Sequence, residues 1–271
     1  MKKQFLTYSQ QLDNLVREKG LEVPDRQEAI ETLKHISYFA LINGYKEPFR
    51  GKDGKYLDGV TFQDIRALYR FDVALSSTLL RYLLSCERHL KSLFGYHFIQ
   101  LYGDSEQDYL NPNNYDRSTE QRAREVRELL DTMRDLAREE SDQEYLGHYR
   151  THYEEVPLWI IMHALTFGQL ERLYWCAQPH LRDVICSEFP NLRSKNLTYV
   201  LLVLVHLRNT CAHNNPVYTF RLKNIFLPVM SVHHDLGLVN KEGKARAGQK
   251  DLFAGLLAMK LILSGREYCA L

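Results

Sequence analysis

The chain has 271 residues, 45% of them hydrophobic and 25% charged, with 35 basic residues against 34 acidic and a formal net charge of +1. This composition suits a globular protein with a sizeable core, and it excludes a disordered chain, a fibrous repeat and a polytopic membrane protein. Near-neutrality excludes a strongly basic nucleic-acid coat protein but leaves room for a local basic site, since net charge is silent on distribution.

The five cysteines, Cys86, Cys176, Cys186, Cys211 and Cys269, are odd in number and include no C-x-x-C pair. Neither a disulfide framework nor a cysteine zinc site is expected, and the usage fits a reducing compartment. The opening MKKQFLTYSQQL has two lysines but lacks the apolar run of a signal peptide. The most apolar stretch, 197–207, is about half the length that spans a bilayer. The expectation is a soluble, cytoplasmic protein that engages no membrane.

Low proline and many long side chains lean towards helix. Residues 5–19 carry Phe5, Tyr8, Leu12, Leu15 and Val16 at helical spacing, closed by Gly20. Asp25 caps a second helix with Glu28 as its capping-box partner, and Ala29, Ile30, Leu33, Ile36 and Phe39 run to Asn43-Gly44. Residues 45–60 are irregular, and Thr61 caps a helix that leads into a long one. That long helix, from Asp72 to about Tyr102, carries Leu75, Leu79, Leu83, Cys86, Leu90, Phe94 and Phe98 in steps of three or four. Glu87 lies about 40° from Leu83 on it, beside the apolar stripe. Lys91, four residues on, can pair with Glu87 in a partly exposed salt bridge.

Residues 103–115 read as a polar loop and 116–140 as a charged helix with six arginines against eight acids. Mixed signs favour a solvated face over a nucleic-acid patch. The span 103–156 is read as a helical insertion or arm on a single domain covering 1–271. Pro157 opens an apolar helix through Trp159, Ile160, His163, Ala164 and Phe167, with Gly168 near its close, and Leu170, Leu173 and Tyr174 continue the pattern; a short helix covers 181–189, and 197–213 is the most buried element. Asn214-Asn215-Pro216 ends it, because proline blocks continuation. Residues 241–250, KEGKARAGQK, read as a flexible basic loop, and a last helix fills 252–263. No strand pattern stands out, so the fold class is all-α.

The sharpest chemical signal is Arg208-Asn209-Thr210-Cys211-Ala212-His213, at the end of the most apolar helix. Five residues turn about 500°, so Arg208 and His213 project about 140° apart on a regular helix. The long arginine side chain or a distorted last turn could bring them together. Two copies meeting about a two-fold axis would pool two arginines and two histidines more simply. An imidazole can move a proton near neutral pH, and a guanidinium grips phosphate oxygens. The pair suits cleavage of an RNA phosphodiester, with no metal or other cofactor called for. His148 and His152 stand four apart, but Tyr149 holds the place of the glutamate a zinc protease needs. His233-His234 reads as a pair of exposed loop histidines.

The hexamer resembles the R-x(4–6)-H motif of the HEPN superfamily of helical ribonucleases. More of the chain resembles the phage abortive-infection proteins of the AbiD/AbiF type. The residues that carry this are TYSQQLDNLVREKGLEV near the start, ISYFALINGYKEPF (36–49), LYRFDVALSSTLLRYLLSCERHLKS (68–92), VPLWIIMHALTFGQLERLY (156–174) and LRNTCAHNNPVYTFRL (207–222). The resemblance implies a HEPN-like helical bundle with additional helices, a homodimeric site, and a catalytic pair of Arg208 and His213. Asn209 fills the polar position after the arginine, and Glu87 and Lys91 match the family's E-x-x-x-K and border the site as supporting residues. In one departure, Asn214-Asn215-Pro216 stands where a basic residue often follows the histidine, and the next arginine is Arg221. The implied function is a metal-independent endoribonuclease of phage defence or a toxin of a toxin–antitoxin pair, with RNA and an antitoxin as partners. Two rivals stand beside it: an RNA-binding regulator without catalysis, and a helical dimeric interaction module.

Overall fold

The computed structural model describes residues 4–138, 143–190 and 192–269. Lys2 and Lys3 of the N-terminal reading, and Glu139 and Glu140 of the charged helix, lie outside the described residues. Thirteen α-helices, one π turn, two short 3-10 turns and isolated β-bridges make up the regular structure among them. The chain divides into two compact units, residues 1–78 with 210–218, and 79–209 with 219–271.

In the first unit, α1 (Tyr8–Arg17) starts at Thr7, whose side chain and Gln10 form a reciprocal capping box. Leu12 and Leu15 are buried, but Phe5 precedes the helix and is 84% exposed, so the helix is shorter than its apolar spacing suggests. Gly20 closes the following turn at φ 71°. Asp25 caps α2 (Arg26–His35) through Glu28 N–H, as the sequence indicates. Glu28 does not complete a box; its carboxylate takes Arg66 instead. This helix stops at His35, and Phe39–Asn43 forms a separate π turn that leaves Phe39 76% exposed. The core of the unit gathers Leu12, Leu15, Leu21, Leu33, Leu41 and Phe62, with α1 packed on α2.

Thr61 and Asp64 cap α3 (Phe62–Tyr102), a single 41-residue helix where the sequence suggests two. Its first 17 residues belong to the first unit and the rest to the second.

The second unit builds on the buried stripe Leu79, Leu83, Cys86, Leu90, Phe94 and Phe98 of α3, as the periodicity indicates. After α4 (Glu106–Tyr109), α5 (Glu120–Leu136) buries Val126, Leu129, Leu130 and Met133 and packs on α8 (below). Its Glu125 and Glu128 hold Arg172, so the charged helix has a core face as well as a solvated one. α6 (Glu144–His152) follows. The apolar run after Pro157 is two helices, α7 (Leu158–Ala164) and α8 (Phe167–Cys176), because Thr166 and Gln169 form a capping box that starts the second. α9 (Pro179–Ser187) leads to α10 (Ser194–Ala212), then α11 (Ser231–Asp235), α12 (Leu252–Ile262) and α13 (Gly265–Cys269). Gly255 of α12 packs so closely on Leu207 of α10 that a Cβ there would collide with its side chain. No helix among the described residues is long and apolar enough to cross a membrane.

Candidate functional site

The R-x(4)-H hexamer occupies the last turn and a half of α10. The helix is regular through Ala212. Asn215 N–H then reaches back to Thr210 O (3.1 Å) and Asn214 N–H to Cys211 O (3.3 Å), while Asn214 takes φ 52°. This pair of bonds, with a left-handed residue after the cap, is a Schellman ending, and asparagine tolerates that conformation better than most residues. The helix therefore stops at Asn214, two residues before the proline. His213 is its C-cap residue and is exposed.

Arg208 and Asn209 belong to the second unit, His213 to the first. In the second unit, Arg208 Nη1 donates to Asn209 Oδ1 (3.2 Å). Its Nε stands 3.7 Å from Glu87 Oε2. That gap is too long for a hydrogen bond. Both atoms are buried without a hydrogen-bond partner. Glu87, 7% exposed, spends its other oxygen on Lys91 Nζ (2.9 Å). Glu87 is buried and Lys91 keeps 13% of its side chain exposed, and Lys91 also donates to Leu165 O at the C-cap of α7. Lys91 thus ties α3 to the α7–α8 corner, where a cation at a helix C-terminus is favoured. Three of the sequence-selected residues, Glu87, Lys91 and Arg208, form one cluster of two cations about one carboxylate, which leaves it a net single positive charge. The Arg208 side chain keeps 27% of its surface exposed.

In the first unit, the segment after His213 is fixed by Asp72, which sequence reading did not select. Its buried carboxylate accepts from Val217 N–H (2.9 Å), Tyr218 N–H (2.6 Å) and Tyr45 O–H (2.8 Å). Tyr45 stacks on Tyr218 at 5.4 Å, and burial followed by the Asp72 contact pushes its hydroxyl pKa up. The signal was present: Asp72 lies three and seven residues before Leu75 and Leu79, on the apolar register. Ser76 Oγ donates to Cys211 O (3.4 Å), and burial raises the pKa of the Cys211 thiol.

Elsewhere, His148 and His152 stack on one another at 4.2 Å. Among the described residues no three His, Cys, Asp or Glu side chains gather as a metal site. His233 is fully buried, which corrects its reading as an exposed loop residue. Nδ1 accepts from Met230 N–H (3.2 Å), so Nε2 is the nitrogen that donates to Gly248 O (3.0 Å).

A family model described as Abi-like protein matches residues 31–219, more than half of the chain. The match takes in Glu87, Lys91, Arg208, Asn209 and His213 and stops before the basic residues from Arg221 onward. Searches of curated proteins and of solved structures return no match. The chain belongs to the Abi-like protein family, and abortive infection points it to a role in phage defence.

Proposed function

We propose that the chain is a metal-independent endoribonuclease of the HEPN type, working as a homodimer, that cuts cellular RNA to arrest an infected cell. As a toxin it would be held in check by an antitoxin. The observation that carries this reading is the make-up of the end of α10. A half-buried guanidinium sits in a cluster with one net positive charge, and an exposed imidazole stands five residues on. The first group suits an anionic phosphate and the second suits proton transfer.

In this mechanism His213 takes the proton of the 2′-hydroxyl next to the scissile phosphate. The 2′-oxygen attacks phosphorus, the bond to the 5′-oxygen breaks, and the leaving oxygen takes the proton that His213 accepted, which returns the imidazole to its neutral form. The products are a 2′,3′-cyclic phosphate and a free 5′-hydroxyl. Arg208 stabilises the charge that builds on the phosphoryl oxygens. Asn209 and Glu87 hold the guanidinium, and Lys91 holds Glu87.

The test is cleavage of total RNA in excess EDTA with matched 2′-deoxy substrates. Arg208→Ala and His213→Ala should each lose about 10² to 10⁴ in rate. Dependence on magnesium, or equal cutting of DNA, would sink the mechanism. One observation favours the regulator reading: Glu87 partly neutralises Arg208. Under it, wild type and His213→Ala bind RNA equally and neither cuts it.

A further inference from the structure

Beyond the matched stretch, the second unit carries a basic surface that the mechanism does not use. Residues 221–227 run beside 249–251. Leu222 N–H donates to Lys250 O (2.8 Å), Leu227 N–H donates to Gln249 O (2.8 Å), and the backbones of Arg221 and Asp251 pair as an isolated antiparallel β-bridge. The loop read from sequence as flexible is hydrogen-bonded as a short hairpin. Asn240 N–H donates to Lys244 O (2.9 Å), Arg246 N–H donates to Leu238 O (2.8 Å), and Asn240 Oδ1 accepts from Glu242 and Lys244. Buried His233 holds its far end at Gly248. Gly248 has φ 81°, and a Cβ there would stand 2.6 Å from Leu257 Cδ1. This backbone is preorganised.

What it presents is cationic and aromatic. Arg221, Lys223, Arg246 and Lys250 are exposed, and among the described residues none is paired with a carboxylate. Asp251, next to Lys250, is occupied as the N-cap of α12, and Glu242, four residues before Arg246, is paired with Lys244. Phe226 is 42% exposed and lies against Tyr199 of α10, ring centres 5.7 Å apart and planes 33° from parallel. Phe226, Arg246 and Lys250 line one open groove of about 400 Å³, together with Asp251, whose carboxylate is taken by the Gly248 and Ala254 amides.

We propose that this groove binds single-stranded RNA, with a base laid on Phe226 and the flanking phosphates on Arg246 and Lys250. Unpaired cations beside an exposed ring are what a flexible strand needs, because every base offers a π-face and every nucleotide a charge. A duplex hides its bases and would gain only the charge term. The inference rests on the proposed RNA-cutting activity only in choosing RNA over DNA. It also supplies a substrate grip that Asn214-Asn215-Pro216, directly after the histidine, does not.

The experiment measures fluorescence anisotropy of a labelled 12-nucleotide oligouridylate against the full chain carrying His213→Ala, so that no strand is cut. On that background Phe226→Ala should weaken binding about five-fold or more. Arg246→Glu with Lys250→Glu should weaken it at least about ten-fold and flatten the salt dependence by about 1.4 in log–log slope. Arg124→Glu, an exposed arginine on α5, should change little. Phe226→Leu keeps the apolar bulk without the flat ring and gives the same reading if the alanine variant unfolds. Unchanged affinity in folded variants, equal loss in Arg124→Glu, or equal binding of a 12-base-pair RNA duplex overturns the proposal. So does an oligoglutamate bound as tightly, which would mark an acidic protein partner. Wild-type cleavage in EDTA is measured alongside. Absent cleavage with Phe226-dependent binding sinks the nuclease and keeps the groove; cleavage with Phe226-independent binding does the reverse.

Discussion

Asp72 and Glu87 are two buried carboxylates of α3 that are satisfied to different degrees. Asp72 spends its oxygens on three donors and holds the chain that leaves His213. Asp72→Ala strands the buried Val217 amide and should cost about 3 kcal/mol or more in denaturant unfolding, since each orphaned donor costs about 1–3. Glu87 leaves one oxygen unfilled opposite Arg208, a spare acceptor poised for a small movement of the guanidinium. Glu171 on α8 is a third case. Burial pushes its carboxyl up to about 7, while its neighbour Arg172 is taken by Glu125 and Glu128. The folded chain then holds a proton that the unfolded chain releases near pH 4.5. The contribution of Glu171 to stability falls as pH rises from about 4.5 to about 7 and is level above that. Glu171→Gln should remove that slope. It should raise stability at pH 8 by about 2–3 kcal/mol and change little at pH 4.5, read from melting curves at both values. An equal gain at both pH values would show that the ionised carboxylate is not the cause.

At the scale of elements, one-sided apolar spacing made α3 legible, because it buries a stripe that recurs every three or four residues, whereas α10 and α12 were legible as near-continuous apolar runs buried on several sides. Spacing fails where a corner keeps the register. The run 157–174 breaks between Ala164 and Phe167, two residues before Gly168 would place it, and the Thr166–Gln169 capping box marks the break. Charge counting hid the apolar face of α5. At the site, the hexamer and the Glu87 register were readable. The Lys91–Leu165 contact and the Asp72 clamp join residues 74 to 146 positions apart, and no local pattern announces such pairs. The ending of α10 is itself testable. Asn214→Gly suits φ 52° and should be neutral or slightly stabilising, whereas Asn214→Val should cost about 1–2 kcal/mol. A Val variant as stable as wild type would contradict the left-handed cap. Gly255→Ala forces a methyl onto Leu207 and should cost about 1–3 kcal/mol.

At the scale of the whole molecule, the proposed site must be complete in the species that works. On a regular helix five residues turn Arg208 and His213 about 140° apart. Arg208 is also drawn back to Glu87 within its own unit. Leu202, His206 and Asn209, three or four residues apart, leave one stripe of α10 partly or fully exposed, and a two-fold contact along such a stripe would bring the arginine of one copy to the histidine of the other. Two single variants, each inactive alone, decide this. Arg208→Ala keeps His213, and His213→Ala keeps Arg208. If the working pair is shared between copies, mixing them under exchange makes mixed dimers that hold one intact pair. With equal amounts half of the dimers are mixed, and each has one of two sites, so about a quarter of wild-type RNA cleavage should return. If each copy uses its own pair, no mixed dimer has a complete site and nothing returns. Light scattering on the same mixture shows whether dimers exist at all. A monomer at micromolar concentration that still cuts RNA would overturn the shared site while leaving the chemistry of Arg208 and His213 in place.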